Sequence, residues 1–143
     1  MALDSGFAPF GAPRNDRREA VIRLAPRRIC ASRPDAVNSY QPTGCPGGRA
    51  PHLWLDDGRS LYDALGFEFT LLQLGATPID AAPFRAAATA INMPLSVVAV
   101  ASDEARELYG ADLALIRPDQ IVAWHGNSTS GAANVLRRAA GHI

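Results

Sequence analysis

The stretch FTLLQLGATPIDAAPFRAAATAINMPLSVVAV, residues 69–100, decides the fold. It opens and closes on short apolar runs, FTLLQL (69–74) and LSVVAV (95–100), with about twenty residues between them. The first run is nearly continuous in apolar residues, as expected of a strand covered on both faces. The second is rich in β-branched residues, which favour strands. Gly75 ends the first run. Thr77 then supplies a helix N-cap, Pro78 a first helical position and Asp80 an acid for the first turn, so the reading predicts a helix running on through FRAAATAINM and stopping before Pro94. A connection of that length is too long for a hairpin and long enough for a helical crossover. The two strands are therefore expected to be parallel, with a right-handed connection.

Further along the chain, Ser102, Asp103 and Glu104 start a short helix through Tyr109, with Gly110 as its stop. Leu113–Ile116 and Ile121–Trp124 are two more strands. Arg117-Pro118-Asp119-Gln120 between them suits a type I turn, so this pair is expected to be an antiparallel hairpin. Ser130 is read as the cap of a last helix, with Arg137 and Arg138 near its negative end. The order strand, helix, strand, then strand, strand, helix is that of the thioredoxin core. The expected fold is α/β and thioredoxin-like, a four-stranded mixed sheet with helices on both faces.

Toward the N-terminus, residues 1–39 hold no sustained period. Prolines interrupt them and arginines crowd them, and only Glu19–Leu24 could make a short strand or turn of helix. They are read as an extended arm or linker preceding a thioredoxin-like domain over 40–143. The aromatic interleaving that base stacking needs is missing from the arm, so nucleic acid is not an expected partner.

Composition narrows the chemistry. With 143 residues, 48% hydrophobic and 20% charged, the chain is one globular domain's worth. The formal net charge is zero and all fourteen basic residues are arginine. A chain without lysine has no Schiff-base nucleophile and no phosphate-loop lysine. No run approaches a membrane span, and the first thirty residues lack the apolar stretch of a signal peptide, so a cytoplasmic location is expected and no membrane partner. Cys30 and Cys45 stand fifteen positions apart, neither a redox C-x-x-C nor a zinc spacing, and the three histidines are scattered. They are read as free thiols, and no metal site is expected. In a thioredoxin the reactive dithiol sits where the first strand meets the next helix. Here that loop is Gly75-Ala76-Thr77-Pro78-Ile79-Asp80, with no sulfur, and Thr77 reads as a cap, so dithiol chemistry is not expected.

The segment before the first strand carries the remaining signal. Tyr40, Pro42, Thr43, Pro46, Gly47, Arg49-Ala50-Pro51-His52 and Trp54-Leu55 are followed by Asp57-Gly58-Arg59-Ser60-Leu61-Tyr62-Asp63, Gly66 and Phe69-Thr70-Leu71-Leu72. Together with Leu108-Tyr109-Gly110-Ala111-Asp112, Ile116-Arg117-Pro118-Asp119 and Val122-Ala123-Trp124, this combination resembles the C-terminal region of the FAD-dependent aromatic hydroxylases, the phenol, hydroxyphenylpropionate and polyketide-ring monooxygenases. The resemblance covers about residues 40 to 140. It implies a thioredoxin-like domain without the dithiol, attached to flavin and substrate domains that bind FAD, use NAD(P)H and hydroxylate a phenolic ring.

None of the marks of those other domains is in this chain. No G-x-G-x-x-G follows a strand, so no catalytic, cofactor-binding or metal residue is carried over. The expected role is a non-catalytic accessory domain for docking or assembly, whose partner is a flavin-binding domain of the same or another chain. Alternatives are a free-standing module that forms a homodimer and a thiol oxidoreductase using Cys30 or Cys45. Arg49, His52, Trp54 and Tyr62 are the candidate interface residues, since arginine and aromatics are enriched at interface centres. The plainer reading of the same segment is a rigid lead-in, with Arg49 and His52 bonded to backbone carbonyls and aspartates and Asp56-Asp57-Gly58 forming a turn. Ser60 caps a short helix.

Overall fold

The computed structural model describes residues 42–142, so the expectations for the 1–39 arm and for Cys30 lie outside the described residues. The two apolar runs are strands β1 (Phe69–Leu74) and β2 (Leu95–Val100), paired in parallel with Phe69 opposite Leu95 and Leu74 opposite Val100. β3 (Leu113–Ile116) lies antiparallel on the other side of β1, and β4 (Val122–Gly126) antiparallel to β3. Among the described residues the sheet order is β2-β1-β3-β4, with β2 and β4 outermost. Among the described residues four helices complete the set: α1 (Leu61–Ala64), α2 (Ala82–Ala90), α3 (Asp103–Tyr109) and α4 (Ala132–Ala139). This is the expected mixed four-stranded sheet of thioredoxin-like form.

Alternation along the central strands sorts the core into two halves. Leu71, Leu113 and Leu115 join Phe84, Ala88, Ala132 and Leu136, so α2 and α4 cover one face. Leu72, Leu74, Ala114 and Ile116 join Ala50, Leu61, Ala105 and Tyr109, so α1, α3 and the lead-in segment cover the other. β1 and β3 carry buried residues on both faces, which explains their largely apolar sequence.

Among the described residues, one buried side-chain group lacks a partner. Thr70 is 1% exposed and its Oγ1 makes no hydrogen bond. A buried hydroxyl carries its desolvation cost without return, so Thr70→Val is expected to stabilise the chain by about 1 kcal/mol. Urea denaturation measures this, and a destabilised variant would show that the hydroxyl does bond.

Several boundaries differ from the sequence reading. The helix expected from Thr77 begins at Ala82, with Ala81 at the N-cap and Pro83 in the first turn. A helix starting at Pro78 would put Pro83 in its interior, where proline lacks the donor and its ring collides with the carbonyl four residues back. The helix also ends at Ala90, because Asn92 takes a left-handed φ of 51° and Met93 N–H returns to the Ala88 carbonyl. The cap of α4 is Gly131, in the left-handed region, rather than Ser130. Strand β4 starts one residue later than expected and ends at Gly126. Gln120 closes the Arg117–Gln120 turn with φ of 65°, and the ladder is irregular at Leu115/Ile116.

Cys45 is disulfide-bonded, against the free thiol expected. Spacing in sequence does not report the Cα separation that a disulfide needs.

Candidate functional site

The loop from β1 to α2 is where a thioredoxin would carry its dithiol. Here Gly75 turns the chain with φ of 93°, and the Asp80 Oδ1 accepts the Ala82 N–H at 2.9 Å. A carboxylate therefore occupies the helix tip that an anion would need, and Pro83 removes one of its donors. The tip does not suit the pyrophosphate of FAD, and no step is assigned to a flavin held by these residues. Among the described residues no group of three or more His, Cys, Asp or Glu could hold a metal ion, and no helix is long and apolar enough to cross a membrane.

The four residues singled out from sequence do come together. Residues 47–50 run beside the start of β4: Gly47 N–H donates to the Val122 carbonyl at 2.8 Å, Val122 N–H to Gly48 at 2.9 Å and Ala50 N–H to Gln120 at 2.8 Å. This fixes Arg49, whose Nη2 donates to Gln120 Oε1 at 2.8 Å and whose guanidinium lies 5.1 Å from the Tyr62 ring centroid. Tyr62 donates its hydroxyl to the Ala50 carbonyl at 2.7 Å. Ser60 caps α1 by accepting the Tyr62 N–H, and the same hydroxyl lies 2.9 Å from His52 Nε2. His52 meets the Trp54 ring edge-on at 4.9 Å and the Tyr62 ring at 5.2 Å.

The result is a contiguous stack in the order Arg49, Tyr62, His52, Trp54. Its outer member, Trp54, is 72% exposed. Arg49 and His52 bond to a glutamine and a serine, not to the carbonyls and aspartates of the plainer reading. Instead Asp57 pairs with Arg59, whose backbone N–H first and guanidinium second hold the Asp57 carboxyl below its usual value.

His52 and Ser60 form a two-membered contact only. No carboxylate orients the imidazole among the described residues, and Ser60 is committed to capping, so a nucleophile with its base and orienting acid is not assembled here. What the stack can do is bind: it offers a cation and three rings with little conformational freedom left to lose.

Sequence reasoning missed the groups that hold the stack in place. Tyr109, 1% exposed, donates its hydroxyl to the Pro51 carbonyl at 2.9 Å and fixes the turn into the stack from below. Burial pushes its phenol above the ordinary value. Gly44 packs against the same tyrosine, and Gln120 receives Arg49.

Comparison with known proteins identifies the family of the chain. The family described as "Aromatic-ring hydroxylase, C-terminal" matches residues 43–143. The chain is 40% identical over 117 residues to the FAD-dependent monooxygenase opdD of Penicillium oxalicum, covering 73% of this chain and 22% of that protein. It is 35% identical over 109 residues to the FAD-dependent monooxygenase apdD of Emericella nidulans, covering 71% and 18%. Among solved structures, the rebeccamycin biosynthetic enzyme RebC with reduced flavin is similar with a TM-score of 0.69 and 30% identity, over 80% of this chain and 22% of that one. The chain thus spans about a fifth of the length of the relatives it matches.

Proposed function

This chain belongs to the aromatic-ring hydroxylase C-terminal family, and from that premise we propose that it is a non-catalytic accessory domain that docks onto the flavin-binding part of an aromatic-ring monooxygenase. In this reading FAD and NAD(P)H serve the flavin-binding part, on the same or a partner chain, and the reaction supported there is hydroxylation of a phenolic ring. The contact surface is the stack of Arg49, Tyr62, His52 and Trp54. The observation that carries the proposal is the exposure of Trp54 at the end of a stack whose other members are fixed by hydrogen bonds. A large ring left in water on a rigid base gains by burial and loses little entropy, which is the pattern of an interface anchor.

The test is co-purification of the chain with the flavoprotein, read by flavin absorbance, and titration of the complex. Trp54→Ala is expected to weaken binding about tenfold to a hundredfold and Arg49→Ala about tenfold, without loss of fold. Unchanged affinity in both variants would remove the stack from the interface. An isolated chain that retained flavin and oxidised NAD(P)H in the presence of a phenol would overturn the non-catalytic role.

A further inference from the structure

A cavity of about 780 Å³ opens where the C-cap of α2 faces the last turns of α4, lined by Ile91, Asn134, Arg137, Arg138 and His142. Ile91 is its partly buried apolar member, and the other four residues are exposed. Each of those four side chains can donate hydrogen bonds, and the two arginines carry full positive charges.

Among the described residues Arg59, Arg106 and Arg117 each pair with an aspartate and Arg49 donates to Gln120, whereas the guanidiniums of Arg137 and Arg138 make no ion pair or hydrogen bond. No acid is near them in sequence. Residues 81–102, which hold α2 and β2, and residues 126–142, which hold α4, contain neither Asp nor Glu. Nor do the arginines cap their helix. Their place in the last turn suits the negative end of α4, but its final carbonyls are already taken: Leu136 by the Ala140 N–H at 2.9 Å, Arg137 by the His142 N–H at 2.8 Å and Arg138 by the Gly141 N–H at 3.2 Å.

We propose that this cavity binds the phosphate group of a small molecule. Charge selects it. Two neighbouring guanidiniums, less the roughly half charge of the helix end, call for more than the single negative charge of a carboxylate, and a phosphate monoester brings about −1.5 to −2 at pH 7. Donor chemistry agrees, because phosphate oxygens accept the paired N–H groups of an arginine fork while Asn134 and His142 add further donors.

Inorganic phosphate and an organic phosphate ester share this chemistry, and Ile91 tells them apart. The cavity is of the size that holds whole small molecules, so an ester has room to lay its body over Ile91. An aromatic ester should bury apolar area there that the free ion lacks, and bind about threefold to tenfold tighter.

The experiment uses the full chain and needs no flavoprotein, so it fails or succeeds independently of the docking proposal. Backbone amide NMR shifts are followed as inorganic phosphate, phenyl phosphate or acetate is added at low ionic strength. Saturating shifts centred on residues 134–142 are expected, with a Kd of about 1 mM for inorganic phosphate and no saturation by acetate up to about 20 mM. Arg137→Ala/Arg138→Ala should weaken phosphate binding at least about tenfold, and Arg137→Lys/Arg138→Lys, which keeps the charge and loses the fork, about threefold. The same spectra report whether each variant is folded, and the lysine variant decides if the alanine variant is not. Tighter binding of phenyl phosphate would support the proposal with an ester as the source, and equal affinities would support it with the free ion. Shifts that do not saturate, that centre elsewhere, that acetate reproduces, or that the lysine variant leaves unchanged would reduce the cavity to diffuse surface charge and overturn the proposal.

Discussion

Tyr109→Ala is expected to destabilise the domain by about 3–5 kcal/mol, the range for removing a large buried ring. The ring is 1% exposed and packs in the core half that contains Ala50, Leu61, Leu72 and Ile116. Its loss leaves a cavity under the lead-in segment and leaves the Pro51 carbonyl without its donor. Tyr109→Phe separates the two effects, keeping the ring and removing only the hydrogen bond, and should cost about 1–2 kcal/mol. Denaturant titration of the two variants gives both numbers. A Tyr109→Ala cost below about 1 kcal/mol would mean the segment is held elsewhere.

The same phenol sets an alkaline limit. Burial raises its pKa in the folded chain, so the unfolded chain releases this proton first. The stability that depends on the neutral hydroxyl is complete below the ordinary tyrosine value of about 10 and is lost as pH rises toward the raised folded value. Tyr109→Phe should remove that part of the slope. Wild-type and variant chains should therefore converge in stability at high pH, and parallel curves would contradict the assignment.

What could be read in advance follows from which interactions are local. β1, β2, β3 and α3 match their expected bounds because their signals lie within a few residues: apolar runs cut by Gly75 and Pro94, a Ser102 side chain that accepts the Ala105 N–H, and Gly110 in the left-handed region. α2 starts later than its local signals indicate because Thr77 and Pro78 offer good start signals by themselves, and only Pro83 further along forbids a helix from using them. At the candidate site, residue types pointed to Arg49, His52, Trp54 and Tyr62. Their assembly into one stack depends on contacts across 71 residues, Arg49 to Gln120, and 58 residues, Tyr109 to Pro51, which no local spacing encodes. Gly44 was equally silent, since glycine between Thr43 and Cys45 looks like a turn residue, and what it meets is α3.

That contact makes Gly44→Ala the second large effect. A Cβ at this position would stand 2.5 Å from the Tyr109 Cα, 2.7 Å from its Cδ1 and 2.9 Å from its Cβ. The nearest of these atoms belongs to the backbone of α3, which cannot rotate away as a side-chain end could. Either the helix or the lead-in must shift, and the expected cost is about 3 kcal/mol, the upper end for overpacking. Gly66→Ala is the matched control, because its added carbon meets nothing closer than a backbone nitrogen at 4.0 Å, and it should change stability by less than about 0.5 kcal/mol.

The double variant Gly44→Ala/Tyr109→Ala locates the strain. Truncating Tyr109 removes the Cδ1 contact but leaves Cα and Cβ, so the pair should cost less than the sum of the singles while still exceeding Tyr109→Ala alone. Strict additivity would place the strain away from this junction. Because Gly44 leads directly into the segment that carries Arg49, a shift here should also move the guanidinium from Tyr62 and Gln120. If the stack docks as proposed, weaker flavoprotein binding in a Gly44→Ala chain that remains folded would show that the close approach of Gly44 to α3 orients it.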